Sequence, residues 1–372
     1  MSPRLKLFSS LVVGIFLFLT AGILFFLYPK DAAAPLIESA TASSSAALIQ
    51  DIPAAQTPSS TPVQHLSLFV AGDIMLDRSV FLKTRATKDF NHPFLLIDPI
   101  VSSYDLRLAN LEGPVTNFQS VANGTGGARF TFTFSPEFLQ PLKQRFDIVS
   151  LANNHTLNFG DKGLNQTRTF LADAGIQFFG DPSNAAGRLS TTTTVNDVTL
   201  GFVGYHQLVQ TGFGNVLNEV RRLAPLVDVL IVMPHWGNEY IEDHPTTQQT
   251  AEAHQLVDAG ASAVIGAHPH VVQPVEIYKN KAIFYSLGNF IFDQYFSEET
   301  MTGLGLGIRF EKTDEALTTS YSLIPLTITS QSQPVAASPE KTKNLLNRLA
   351  LQSELADIPG PDIQQGEFTL RD

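Results

Sequence analysis

Cysteine is absent from all 372 residues. That excludes disulfide scaffolds, thiolate zinc sites, thiol catalysis and a lipid-modified cysteine anchor. Any metal must be held by His, Asp, Glu and Asn. Basic residues are few: 24 Lys and Arg stand against 35 Asp and Glu, a net charge of −11 with pI near 5.2. A nucleic-acid partner would need a basic stripe, so none is expected. Neither a Gly-x-x-x-x-Gly-Lys-Ser/Thr phosphate loop nor a Gly-x-Ser-x-Gly elbow occurs. ATP-driven ligation and serine-hydrolase chemistry are therefore not expected.

The chain opens with an uncharged run, Leu7–Tyr28. Its roughly 22 residues would make a helix of about 33 Å, enough for a bilayer core of about 30 Å. Arg4 and Lys6 precede it, Pro29 stops it, and acidic residues dominate the stretch after Lys30. The positive-inside rule puts residues 1–6 in the cytoplasm, a single-pass signal anchor over 7–28, and the bulk of the chain outside the cell membrane. The alternative is a cleaved signal peptide, with Ala32–Ala34 as processing site; the run is long for that. Residues 29–64, rich in Ala, Ser, Thr and Pro, read as a flexible tether.

From His65 the pattern is that of a folded body. Hydrophobic residues make up 44% of the chain and Phe occurs 27 times, enough for a large core. Short apolar runs predict strands at 65–71, 106–111, 147–152, 228–234 and 263–265. Helices are predicted over 163–175 and 246–259, each closed by a glycine. Asn196-Asp197 and Lys279-Asn280-Lys281 each join two strand patterns, as hairpin turns do. Strands at 304–310 and 320–329 end the body, 65–330. Residues 331–372 read as a helix, started by Ser338-Pro339 and running to about Leu355, and a tail. The fold class is α/β with mixed sheets and helices outside.

Polar residues collect just past the predicted strands: Asp73; Asn110 with Glu112; Asn153, Asn154 and His155; His235; His268 with His270; Asn289. Ligands gather at the carboxyl ends of strands in open α/β sheets, so parallel neighbours would bring all of these to one rim. In Gly266-Ala267-His268-Pro269-His270 two imidazoles can point at two adjacent ions; the bland reading is a turn with two solvated histidines. Asn154 can ligate a hard cation and His155 can protonate a leaving group, unless the asparagines only cap a helix. Glu112 can bridge two cations or be a solvated strand-end acid. His206 is a further candidate for the rim. Glu239 and Glu242 could contact substrate or lie in an exposed loop. His65 and His92 read as solvated, His244 and His254 as surface or packing groups, and Asp77-Arg78 as a local ion pair.

These boxes, in this order, resemble the bacterial capsule-synthesis CapA family, also called PgsA in poly-γ-glutamate synthesis. The segments are Ala71–Leu76, Ala109–Pro114, Ser150–His155 with Phe159-Gly160, Pro234–Tyr240, Gly266–His270 and Ser286–Phe290. The resemblance implies a calcineurin-like metallophosphoesterase fold, a four-layer α/β/β/α sandwich. It further implies Asp73, Glu112, Asn154, His235, His268 and His270 as ligands of one or two divalent ions (Mn, Fe or Zn) and His155 as general acid. Asn289 would support the loop bearing His268, with Asn110 and Asn153 as further supports. The chain departs from the wider pattern in two places. Met75 stands where a His ligand is usual, and Glu112 replaces the bridging Asp, so one ion position is a ligand short.

Two functions follow as expectations. One is a membrane-anchored, extracytoplasmic hydrolase, phosphoesterase-like, that uses metal-activated water in capsule or poly-γ-glutamate synthesis or export. The other is a non-catalytic membrane subunit that binds an anionic surface polymer or assembles its synthase subunits.

Overall fold

The computed structural model describes residues 63–122, 130–353 and 360–371. The anchor expected over 7–28 and the tether up to residue 62 lie outside them; among the described residues no helix is long and apolar enough to cross a membrane.

The first half of the body runs β1 (Gln64–Ile74), α1 (Arg78–Thr87), α2 (Asp98–Val101), β2 (Leu106–Leu111), α3 (Leu139–Arg145), β3 (Ile148–Ser150), α4 (Gly160–Asp173) and β4 (Gln177–Phe179). Next come β5 (Ser190–Val195), β6 (Val198–His206), α5 (Phe213–Leu223), β7 (Val229–His235), α6 (Thr247–Asp258), β8 (Ala263–Ile265), β9 (Val275–Tyr278) and β10 (Lys281–Phe284). The chain closes with β11 (Asn289–Ile291), β12 (Thr302–Lys312), β13 (Leu317–Ile328), β14 (Pro334–Ala336), α7 (Pro339–Gln352), α8 (Gly360–Gln365) and β15 (Glu367–Arg371).

Two mixed sheets result. The nine-stranded one has the order β14-β13-β12-β1-β2-β3-β4, with β11 beside β1 and β15 beside β13. Its strands β1 to β4 run parallel. The six-stranded one has the order β5-β6-β7-β8-β10-β9, and β6, β7, β8 and β10 run parallel. Beyond residue 330, the segment expected as helix and tail holds α7 but also lends β14 and β15 to the larger sheet. Their signal is weak because three or five residues carry too little alternation.

Alternation along β1 explains how the sheets stack. Leu66, Leu68 and Val70 face Phe202, Ile231, Met233 and Ile265 of the second sheet. Phe69 and Ala71 point the other way, into a core shared with Val80 of α1, Val101 of α2, Leu142 of α3 and Leu171 of α4. On the far side, Val203, Leu230, Val232 and Val264 pack against Val216 and Val220 of α5 and Leu256 of α6. The order is helices, sheet, sheet, helices. Strands buried on both faces read as continuous apolar runs, which is why the sequence shows them so plainly.

Local chemistry settles the turns. Asn196 and Asp197 take φ of 51° and 60°, as a two-residue turn between β5 and β6 requires. The second hairpin is tighter than expected: Lys279 and Asn280 make its turn (φ 48° and 60°) and Lys281 already pairs with Tyr278. Thr246 caps α6 in a reciprocal box with Gln249, and Ser338 caps α7 ahead of Pro339. α4 starts three residues earlier than its pattern suggests, and α7 stops at Gln352.

Two expectations are corrected. His92 is buried, not solvated, and its carbonyl accepts a 2.7 Å bond from Gln333. Asp77 and Arg78 do not form a local pair. The Asp77 carboxylate caps α1 and accepts from Ser120 and Thr133, while Arg78 reaches Asp293. Both corrections come from partners distant in the chain, invisible to local pattern.

At Gly72 the end of β1 touches the backbone of the 287–288 segment: an added Cβ would lie 1.9 Å from the Gly288 carbonyl oxygen. Backbone cannot yield as a side chain can. Gly72→Ala is expected to cost about 3 kcal/mol, the upper end for overpacking, in urea denaturation. A loss under about 0.5 kcal/mol would show that the two segments part freely.

Candidate metal centre

Every candidate side chain but Asn289 leaves the carboxyl end of a strand or the turn after it; Asn289, expected just past a strand, instead opens β11. Asp73 lies near the end of β1, in register with Asn110 of β2 and Asn289 of β11. Glu112 follows β2, Asn153 to His155 follow β3, His235 ends β7, and His268 with His270 follow β8. The expected single rim is thus two rims, one from each sheet, meeting at one edge of the sandwich.

All ten predicted residues come together there. Glu112, His235 and His268 present ligand atoms within 4.8 Å of one another, and so do Asp73, Glu112 and His270. Glu112 is common to both groups, the geometry of a shared carboxylate. Its Oε1 lies 3.9 Å from His235 Nε2, 3.7 Å from His270 Nε2 and 3.7 Å from His155 Nε2. Asn154 Oδ1 sits 2.9 Å from His235 Nε2.

Asparagines hold the frame. The Asn110 amide donates to Asp73 Oδ1 at 2.8 Å and lies 3.2 Å from His235 Nδ1. Asn153 donates to Asn110 and to the Leu111 carbonyl, and its oxygen accepts from the backbone of His155 and Thr156. Asn153 thus closes a turn and not a helix, since α4 begins only at Gly160 with Phe159 before it, while Asn154 is left turned to the site. Asn289 grips the histidine loop through His270: its Oδ1 meets His270 Nδ1 at 3.0 Å and its amide donates to the His270 carbonyl. The same Nδ1 lies 3.2 Å from Asp73 Oδ2, and His270 Nε2 faces Glu112. His268 and His270 both adopt positive φ, 100° and 60°, which costs a non-glycine residue energy that the surrounding contacts offset.

Burial sets the charge states. Both Glu112 oxygens are sealed from water and have no hydrogen-bond partner among the described residues, as is true of His268 Nδ1. Burial first, and then the negative Asp73, push the Glu112 carboxyl well above its ordinary range. Burial holds His268 down to about 3 and His155 down to about 4, and also lowers His235 and His206. Neutral imidazoles and carboxylates form a donor set suited to Mn, Fe or Zn, and the unpartnered oxygens of Glu112 fit an ion better than they fit a dry core. Met75 offers no ligand: its sulfur accepts from the Asp77 backbone N–H at 3.1 Å.

The His155 ring lies on Phe132, centroids 4.2 Å apart. Asn158 Oδ1 accepts from Phe132 N and, as the amide oxygen, also accepts from His155 Nδ1–H at 3.0 Å, leaving Nε2 toward Glu112.

Other groups join the ten. Glu239, exposed, forms a third ligand group with His268 and His270. His206 is buried at the rim, its ring 6.1 Å from that of His235. Tyr240 packs 6.1 Å from His270 and 5.2 Å from Phe296. Arg78, read from the sequence as a local pair, also borders the site; it lies five residues past Asp73 and two beyond the first box, and nothing in its local pattern marked it.

Residues 67–294 match the family model described as bacterial capsule synthesis protein PGA_cap. The PGA biosynthesis protein CapA of Bacillus subtilis (strain 168) is 32% identical over 247 residues, covering 62% of this chain and 64% of that protein. The capsule biosynthesis protein CapA of Bacillus anthracis is 28% identical over 315 residues, 77% of this chain and 75% of that one. The match thus spans a little under two thirds of the first relative's length. Among solved structures, a hypothetical protein from Thermus thermophilus aligns with a TM-score of 0.43 and 18% identity, over 73% of this chain and 96% of that chain. That likeness is too slight to bear on chemistry.

A buried carboxylate without a donor destabilises the metal-free fold at neutral pH. A raised carboxyl pKa means that the folded state binds the proton more tightly, so its contribution to stability falls as pH rises above the unfolded value. Metal-free Glu112→Gln is expected to be more stable than the parent at pH 7.5 by about 1–3 kcal/mol in urea denaturation. Equal or lower stability would mean that the carboxylate is satisfied in the apo protein.

Proposed function

The chain belongs to the bacterial capsule synthesis protein PGA_cap family, and on that premise we propose that it is a metal-dependent hydrolase of the calcineurin-like metallophosphoesterase type, acting in capsule or poly-γ-glutamate synthesis or export. One observation carries the reading: Glu112, sealed and without a hydrogen-bond donor, is shared by two groups of metal-ligating side chains.

In this reading Glu112, His235, His268 and Asn154 hold one divalent ion, and Asp73, Glu112 and His270 hold a second. A bound ion would supply Lewis acidity and lower the pKa of water from 15.7 toward about 7. The protein's own residues do the rest. Asp73 is oriented by Asn110, and His270 by Asn289. Phe132 and Asn158 fix the His155 ring with Nε2 toward the shared carboxylate; burial keeps that nitrogen unprotonated at neutral pH, so it would first accept a proton from the attacking water and then return it to the leaving group. The setting completes the proposal: a chain anchored through 7–28 with its folded body outside the cell membrane, meeting an anionic surface polymer or its synthase subunits.

The rival is a non-catalytic subunit that binds polymer or assembles a synthase–export complex. Met75 favours it, because its sulfur serves the Asp77 backbone instead of an ion.

Metal analysis of the purified chain is expected to find about one or two equivalents of Mn, Fe or Zn. His268→Ala/His270→Ala is expected to lose them; a parent that folds and takes up no metal on reconstitution sinks the hydrolase reading. With a phosphoester substrate in hand, His155→Ala should lower kcat by about 10²–10⁴ with metal retained. Unchanged cellular function in that variant favours the assembly subunit.

A further inference from the structure

The cluster is rich in negative charge. Asp73, Glu112 and Glu239 all belong to its ligand groups. An anionic substrate approaching carboxylates needs a fixed cation besides any metal. Arg78 is placed to be that cation.

Its guanidinium carbon lies 4.9 Å from the centroid of Phe132 and 5.6 Å from that of Phe292. Each ring in turn packs on a site histidine: Phe132 on His155 at 4.2 Å, Phe292 on His270 at 4.8 Å. Arg78 is thereby bracketed by the aromatic supports of two histidines. Asp293 takes one edge of the fork through Nη2 and also accepts from Ser79 N at 3.0 Å, which fixes the side chain's direction. Arg78 Nε is buried and has no partner among the described residues, and 15% of the side chain remains open to solvent. The positive charge is felt at Glu112, His155 and Tyr240 alike. A planar fork with one edge committed and donors left over suits an oxyanion.

We propose that Arg78 is the anion-recognition residue of this site, taking a carboxylate or phosphate oxygen of the substrate beside the Glu112 cluster. The proposal rests on the reading of that cluster as a hydrolytic centre.

The test is calorimetric titration of inorganic phosphate, and separately of succinate, into the Mn-loaded chain, Arg78→Gln and Asp293→Asn, with metal content measured in each. Arg78→Gln is expected to weaken whichever anion the parent binds by about tenfold or more, with metal content unchanged. Asp293→Asn keeps the guanidinium and should stay within about threefold of the parent. Binding of phosphate alone points to a phosphoester, and of succinate alone to a carboxylate polymer; either supports the role of Arg78. Equal losses in the two variants mark Arg78 as a clamp for the Asp293 loop and overturn the proposal, as does a parent that holds metal but binds neither anion. A parent without metal overturns the hydrolase reading instead; the titrations on that metal-free protein still decide Arg78, and an unchanged affinity in Arg78→Gln overturns its role. Should Arg78→Gln not fold, Arg78→Lys carries the test, with a loss of about three- to tenfold expected from losing the fork; parental affinity overturns the proposal.

Discussion

A carboxylate that has left water and found no donor must either take a proton or meet a cation, and Glu112 is in that position. The loops around it make sense as responses to that one group. Imidazoles close on it from the ends of β3, β7 and β8, and Asp73 stands beside it on the neighbouring strand. Remove the shared carboxylate and the two ligand groups have no member in common. A fold under selection only for packing would place an apolar residue there, since an unpartnered buried charge is among the costliest features of a core.

The two-sheet architecture makes the convergence possible. Parallel strands send all their carboxyl ends to one edge, and stacking two such sheets doubles the number of chain segments that arrive. Precision comes from the supports. Asn110 links Asp73 to His235, joining the two sheets through one amide. Asn289 locks the ring of His270, and the loop between His268 and His270 keeps an unfavourable backbone conformation that presents both rings. Aromatic rings form a second tier: Phe132 beneath His155 and Phe292 beneath His270, with Arg78 bracketed between them. That tier gives an acidic centre a positive element at its border.

Much of this was legible in the chain. The buried strands announced themselves because both of their faces are covered, and Asn196-Asp197 announced a hairpin because those residues tolerate positive φ. The ten residues that converge are those singled out by their placement after strand patterns. Less visible were α1, which buries only Val80 and Thr84, and the short strands β4, β11 and β14. Glu239 was open between a substrate contact and a solvated acid, and Arg78 was assigned to the wrong partner. Both are surface-type residues whose local pattern says nothing of what lies across the fold.

By itself, then, the sequence determined the alternation of strands and helices, the turn chemistry and the candidate donor set, since each of these depends on residues a few positions apart. The tertiary structure alone decided which carboxylate would be shared and stripped of partners, and that Asp73 would meet the backbone of His268, 195 residues away. It also decided that Arg78 would pair with Asp293, 215 residues on, and not with its neighbour Asp77. The physical reason is the same in each case: desolvation and charge pairing are set by what the other sheet brings within a few ångströms, and no local pattern carries that information.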